Sequence, residues 1–356
     1  MAAGVTIMAL ALTLTACGTQ ENTGSTESVK SAETVENTET VENTETVESI
    51  ETMENTETVK GIETMESTET IENVEIIEAM VSESAAPQET ANVTPQMQPV
   101  EYTNLQQITL DPNWEYADHS EINTGAAVLY LASEESGRKG IVIGVNAGHG
   151  TAGGAKVKTL CHPDGSAKVT GGSTAAGATE AAAVSGGMTF QDGTPEREVT
   201  LRMAQILRDK LLSSGYDVLM LRDSEDVQLD NVARTVICNN VANCHIALHW
   251  DSGDGKNYDK GCFYISVPEA LKTMEPVASH WQQHDTLGTD LVEGLREQGA
   301  MIYGKGNMSI DLTQTSYSTI PSVDMELGNA YSDHSDEVLE QLATGLLAGI
   351  NTYFEQ

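Results

Sequence analysis

The chain of 356 residues is strongly acidic, with 54 Asp and Glu against 18 Lys and Arg and a formal net charge of −36. That balance repels phosphate backbones and anionic headgroups, so nucleic acid and anionic lipid surfaces are excluded as electrostatic partners. About two thirds of the length has a composition able to fold, enough for one sizeable α/β domain.

The first residues read as an export segment. Val5 to Thr15 is an apolar run too short to cross a bilayer as a helix. It ends in Leu14-Thr15-Ala16-Cys17-Gly18, which resembles the lipobox of bacterial lipoproteins. The resemblance implies that residues 1–16 are a signal peptide and that Cys17 is lipidated. The mature chain would then be extracytoplasmic, anchored to the cell membrane and facing the cell wall. Met1-Ala-Ala-Gly4 lacks the usual Lys or Arg, so a start upstream of Met1 is expected.

Residues 17–101 form a low-complexity tether. Between 18 and 101 there are 20 acidic and 2 basic residues. From Glu36 a six-residue pattern repeats, placing one apolar residue per repeat at Val41, Val47, Met53, Val59, Met65, Ile71 and Ile77. A period of six matches neither a coiled coil nor a strand, so the stripe would wind around a helix and face no single partner. Sparse apolar surface and dense like charge predict disorder. A flexible stretch of roughly 100 residues spans about 50–60 Å, and repulsion lengthens it. Residues 102–139 are transitional; Tyr102, Trp114, Tyr116 and the run 126–131 suit a cap or an edge strand, with no assigned role.

From residue 140 the pattern alternates strand and helix. Ile141 to Val145 predicts a buried strand running into Gly148-His149-Gly150, where glycines allow a sharp turn and keep side chains off the imidazole. Residues 151–194 are rich in Gly, Thr, Ala and Ser; an insertion of that length predicts a functional or mobile rim over a site. A helix is predicted over 195–213, a strand over 217–221, a helix over 232–240 and strands over 245–250 and 261–267. A long helix over 277–298, a strand over 321–327 and a closing helix over 336–354 complete the chain. The alternation predicts a single three-layer α/β domain over 140–356, with a central, mostly parallel twisted sheet flanked by helices.

Three chemically capable groups fall at strand ends or a helix start: His149, Glu196 and His249. Glu196 lies in line with Val199 and Met203, on the helix face turned to the sheet, where a carboxylate is costly unless paired or metal-bound. Two imidazoles and one carboxylate form a common catalytic zinc set with an open fourth position. Glu196 alone would also suit a helix N-terminus, and Glu198 is the rival ligand if the register shifts by two. His245 shares a strand face with His249 at about 13 Å, so only one of them can join a site. His280 and His284, spaced for one helix face, are a competing pair without the adjacent glutamate of a helical protease motif.

In order, the segments Ala147-Gly-His149-Gly150, Glu196-Arg-Glu-Val-Thr-Leu201, Val218-Leu-Met-Leu-Arg222-Asp223, Arg234 with Asn240, Ala247-Leu-His249-Trp-Asp251 and Pro321-Ser-Val-Asp-Met-Glu326-Leu-Gly-Asn329 resemble the zinc-dependent N-acetylmuramoyl-L-alanine amidases of the amidase-3 type. The resemblance covers roughly residues 140–355. It implies one zinc ion bound by His149, Glu196 and His249, with Glu326 as catalytic acid/base. The substrate would be peptidoglycan, cut between N-acetylmuramic acid and L-alanine. Asn146, where an acidic residue is common, Thr151, Trp250 and the long insertion depart from the family pattern. Glu326 could instead pair with Arg222. Arg222 and Arg234 suit support of the fold or of a peptide carboxylate. Cys161, Cys238, Cys244 and Cys262 leave disulfides open. A lipid-tethered solute-binding protein and a catalytically silent wall-binding relative are the alternatives.

Overall fold

Apolar runs bounded by glycine and proline become the strands of one large sheet. The computed structural model describes residues 105–253, 255 and 257–355, so the lipobox, Cys17 and the repeats lie outside the described residues. In chain order the elements are β1 (Leu105–Ile108), β2 (Ala127–Tyr130), β3 (Val142–Ala147), β4 (Lys158–Leu160), β5 (Glu180–Ala182), α1 (Glu196–Ser213), β6 (Asp217–Met220), α2 (Asn231–Val241), β7 (Cys244–Asp251), β8 (Cys262–Ser266), α3 (Val277–Glu297), β9 (Ile302–Ser309), α4 (Thr313–Tyr317), β10 (Ser322–Asn329) and α5 (Asp336–Phe354).

The sheet has eight strands in the order β1-β2-β6-β3-β7-β10-β8-β9, with β4 and β5 forming a separate antiparallel hairpin. Its centre, β6-β3-β7-β10, is parallel. The outer strands β1 and β2 pair antiparallel. The chain leaves β3 for β6 on one side through α1, then crosses back over β3 to β7 through α2. Strand order therefore reverses at β3, and open α/β sheets carry their sites beyond the strand ends at such a reversal.

Period-two alternation sorts the central strands. Ile246, Leu248 and Trp250 of β7, with Val323, Met325 and Leu327 of β10, join the main core. That core is completed by Leu207 and Leu211 of α1, Leu287 and Leu291 of α3 and Leu346 of α5, all fully buried. The opposite face packs on α2, where Ala233, Ile237 and Cys238 meet Leu219 and Leu221. His245, His249, Asp324 and Glu326 share the parity of that second face. The three layers and the mainly parallel sheet agree with the sequence pattern.

Three stretches do more than the sequence indicated. The 102–139 segment supplies β1 and β2, so the sheet begins well before residue 140. The insertion contains the β4–β5 hairpin, built from strands of three residues. β9 reads Ile-Tyr-Gly-Lys-Gly-Asn-Met-Ser and is largely exposed as the sheet's last strand; without apolar alternation it carried no strand signal. The four cysteines in the described domain are all buried and free.

Candidate functional site

Three side chains from three elements converge at the carboxyl ends of the parallel strands. His149 follows β3, Glu196 opens α1 and His249 lies near the end of β7. Nε2 of His149 is 2.9 Å from Oε1 of Glu196. Nδ1 of His249 is 3.0 Å from that same Nε2 and 3.2 Å from the same Oε1. One ligand atom from each of the three residues falls within 4.8 Å of the others.

Neighbours fix two of the three donors. Nδ1–H of His149 donates to the Ser185 carbonyl at 3.0 Å, which leaves the Nε2 lone pair facing the cluster. Oε2 of Glu196 accepts the Met188 N–H at 2.8 Å, and Oε1 accepts the Trp250 N–H at 3.0 Å. His149 adopts φ +67°, a left-handed conformation uncommon outside glycine. Gly148 is obligatory beside it, because a Cβ there would lie 2.2 Å from Cε1 of His249.

The donor set fits a zinc ion. Tetrahedral ligands about 2.0–2.2 Å from zinc stand roughly 3.3–3.6 Å apart, close to the spacings seen here. Without a cation, two imidazole nitrogens facing each other at 3.0 Å must share a proton. Burial alone would lower the pKa of His249, but Asp324 and Glu196 raise it to about 10. Burial would raise that of Glu196, yet its bonds to His149 and His249 hold it well below the ordinary carboxylate range. These directions describe a site that draws positive charge to itself. Among the described residues, Glu196 and Asp324 form ion pairs only with histidine, and Glu326 forms none. A bound dication would supply the countercharge.

Glu326 lies on β10 opposite His249 in the parallel register. Its Oε2 is buried without a hydrogen-bond partner. Burial, and then the nearby Asp324 charge, push its pKa well above the usual value. The alternative pairing with Arg222 does not occur. Arg222 instead donates to the carbonyls of Ala147, Gly148, Arg197 and Ser224 and to Oγ1 of Thr200. Arg234 donates to the carbonyls of Leu229, Ala147 and His149, to Oδ1 of Asn146 and to Oγ1 of Thr151. Both guanidiniums therefore support the fold around the His149 turn.

The rival residues fall away. Glu198 is exposed and pairs with Arg197 at 3.5 Å. His245 is fully buried in the sheet. His284 accepts the Ser322 N–H at its Nδ1, so its Nε2 carries the proton and offers no lone pair to a metal shared with His280.

A cavity of about 590 Å³ opens at the cluster, lined by Asp324, Glu326 and Gln314 and by Lys168, Ser173 and Thr174 of the insertion. The insertion is pinned by a buried knot: Asp311 holds Nε2 of His162 at 2.9 Å and the Val169 N–H at 2.7 Å. It is thus a wall as well as the rim expected from its length. It also supplies the Ser185 carbonyl and the Met188 N–H that orient two of the three donors. These backbone partners, and Asp324, were missed from the sequence; only Asp324 left a signal, its two-residue spacing from Glu326 on one strand face.

Gly187 tests this support. A Cβ there would lie 2.8 Å from Cδ2 of His149 and 2.9 Å from Oε2 of Glu196, at a φ of +79°. Gly187→Ala is expected to weaken metal binding at the cluster about 10- to 100-fold, the range for disturbing groups that orient ligands. Competition with a chromogenic chelator measures it, and unaltered affinity would remove the insertion from ligand support.

The profile of the N-acetylmuramoyl-L-alanine amidase family matches residues 143–350, more than half of the chain. Among solved structures, the N-acetylmuramyl-L-alanine amidase Ami1 of Mycobacterium smegmatis is similar with a TM-score of 0.50 at 17% identity, covering 61% of this chain and 97% of that one. The apo form of Ami1 from Mycobacterium abscessus gives 0.49 at 19% identity, covering 60% and 99% respectively. AmiC2 of Nostoc punctiforme, an N-acetylmuramoyl-L-alanine amidase, gives 0.45 at 16%, covering 62% and 99%. No curated protein sequence matches the chain.

Proposed function

The chain belongs to the N-acetylmuramoyl-L-alanine amidase family, and we propose that it cleaves the amide between N-acetylmuramic acid and L-alanine in peptidoglycan with one zinc ion held by His149, Glu196 and His249. The observation that carries this reading is the convergence of those three donors, far apart in the chain, within 4.8 Å of one another. When bound there, zinc supplies Lewis acidity toward a carbonyl oxygen and makes water more acidic. Glu326 takes a proton from the attacking water and passes it to the departing amine of L-alanine. The insertion lines part of the cavity, and Arg222 and Arg234 hold the His149 turn. A tethered solute-binding protein would have no use for this trio beside an unpaired Glu326.

The rest of the chain suits a wall substrate. No helix among the described residues is long and apolar enough to cross a membrane. Attachment is assigned to a lipid on Cys17, after removal of residues 1–16, with residues 17–101 as an acidic tether. The catalytic domain would then reach peptidoglycan outside the cell membrane.

The test is digestion of purified peptidoglycan by the protein. New N-terminal L-alanine groups should accumulate, and their release should stop once the protein has been dialysed against a chelator and resume when zinc is added. Cleavage that survives chelation with no zinc bound would overturn the metal assignment. Products lacking N-terminal L-alanine would overturn the bond assignment. A silent wall-binding relative would hold zinc and release nothing.

A further inference from the structure

Alternation along β10 places two carboxylates in the cavity. Val323, Met325 and Leu327 are spent on the main core, so Asp324 and Glu326 project from the other face and both line the cavity. Oδ2 of Asp324 stands 3.8 Å from Nε2 of His249, a contact of charges. Its Oδ1 is buried without a hydrogen-bond partner. A carboxylate placed this way contributes nothing to packing and is costly to desolvate. No Lys or Arg among the described residues is within ion-pair distance of it; the side chain that faces it is His249.

His249 meets the other two ligand atoms through Nδ1. To ligate from there it must carry its proton on Nε2, the nitrogen nearest Asp324. The geometry points to Asp324 as a positioning residue for His249: its carboxylate holds the proton on Nε2, keeps the Nδ1 lone pair on the metal side and adds negative charge beside the ion. It need not touch the substrate, and it leaves proton transfer to Glu326. The inference rests on the zinc reading above and deepens it.

The test uses the full chain with Asp324→Asn, which keeps the shape and removes the charge, and Asp324→Leu, which removes both charge and acceptor. Zinc affinity is read by chelator competition, and the melting temperature is read on the metal-free protein. Both variants are expected to bind zinc about 10- to 100-fold more weakly. Their metal-free melting temperatures should be unchanged or higher, because a carboxylate oxygen buried without a hydrogen bond has gone. A lower metal-free melting temperature with unaltered zinc affinity would show a structural role and overturn the inference. If the parent binds zinc and Asp324→Asn binds it as tightly, this inference alone falls. If the parent binds no zinc, the zinc reading falls and takes this one with it.

Discussion

Glu326→Gln is expected to lower amide hydrolysis by about 10²- to 10⁴-fold, the usual contribution of a positioned acid–base group, while zinc stays bound. The amide of glutamine fills the space of the carboxylate, so the wall of the cavity keeps its shape. What disappears is the capacity to accept a proton. Oε2 of Glu326 is already withdrawn from solvent without a partner, so a proton acceptor there makes no competing bond in the resting protein. Counting N-terminal L-alanine released at saturating peptidoglycan, alongside zinc content, separates the two effects. Zinc retained with turnover lost supports the assignment. Undiminished turnover would move the proton to another group. Loss of zinc together with turnover would make Glu326 part of the ligand set instead.

The three clustered side chains were legible because each sits at a boundary that sequence marks clearly. His149 follows a buried strand and sits between two glycines, His249 lies near the end of an alternating strand, and Glu196 breaks the apolar stripe of a helix opened by proline. What holds those side chains was not legible. The Ser185 carbonyl and the Met188 N–H are backbone groups, which any residue could present at that point. Arg222 and Arg234 bond to carbonyls and neutral oxygens, so no acidic partner in the sequence marked their places. Asp324 was readable in principle, since two residues along a strand return to the same face, but the motif around Glu326 drew no attention to it. The outer strands were obscure for the opposite reason. β9 is glycine-rich and exposed, and β1 is short, so neither carries the apolar alternation that signals a strand. The parallel centre, buried on both faces, carries its apolar residues in the sequence itself.

Arg234→Leu is expected to destabilise the domain by about 3–5 kcal/mol, the range for dismantling a buried charged network. The guanidinium is fully buried. Burial, reinforced by the charge of Arg222, pushes its pKa down to about 9, so it remains protonated at neutral pH. It makes no ion pair with a carboxylate among the described residues. Asn146, its partner at 3.0 Å on β3, offers only a neutral oxygen. Stability must therefore come from the fit of a planar fork to oxygens already in place. Leucine would remove every donor and strand those oxygens, among them the His149 carbonyl, which Arg234 holds at 2.7 Å. That carbonyl belongs to the residue whose backbone is left-handed at φ +67°. Relaxation of the turn would carry the imidazole away from Glu196, so zinc affinity should fall with stability. Denaturant unfolding of the metal-free protein gives the first quantity and chelator competition the second. Arg234→Lys keeps the charge but lacks the fork, and it should recover little of either. If lysine restores both, charge alone holds the turn and the argument from geometry fails.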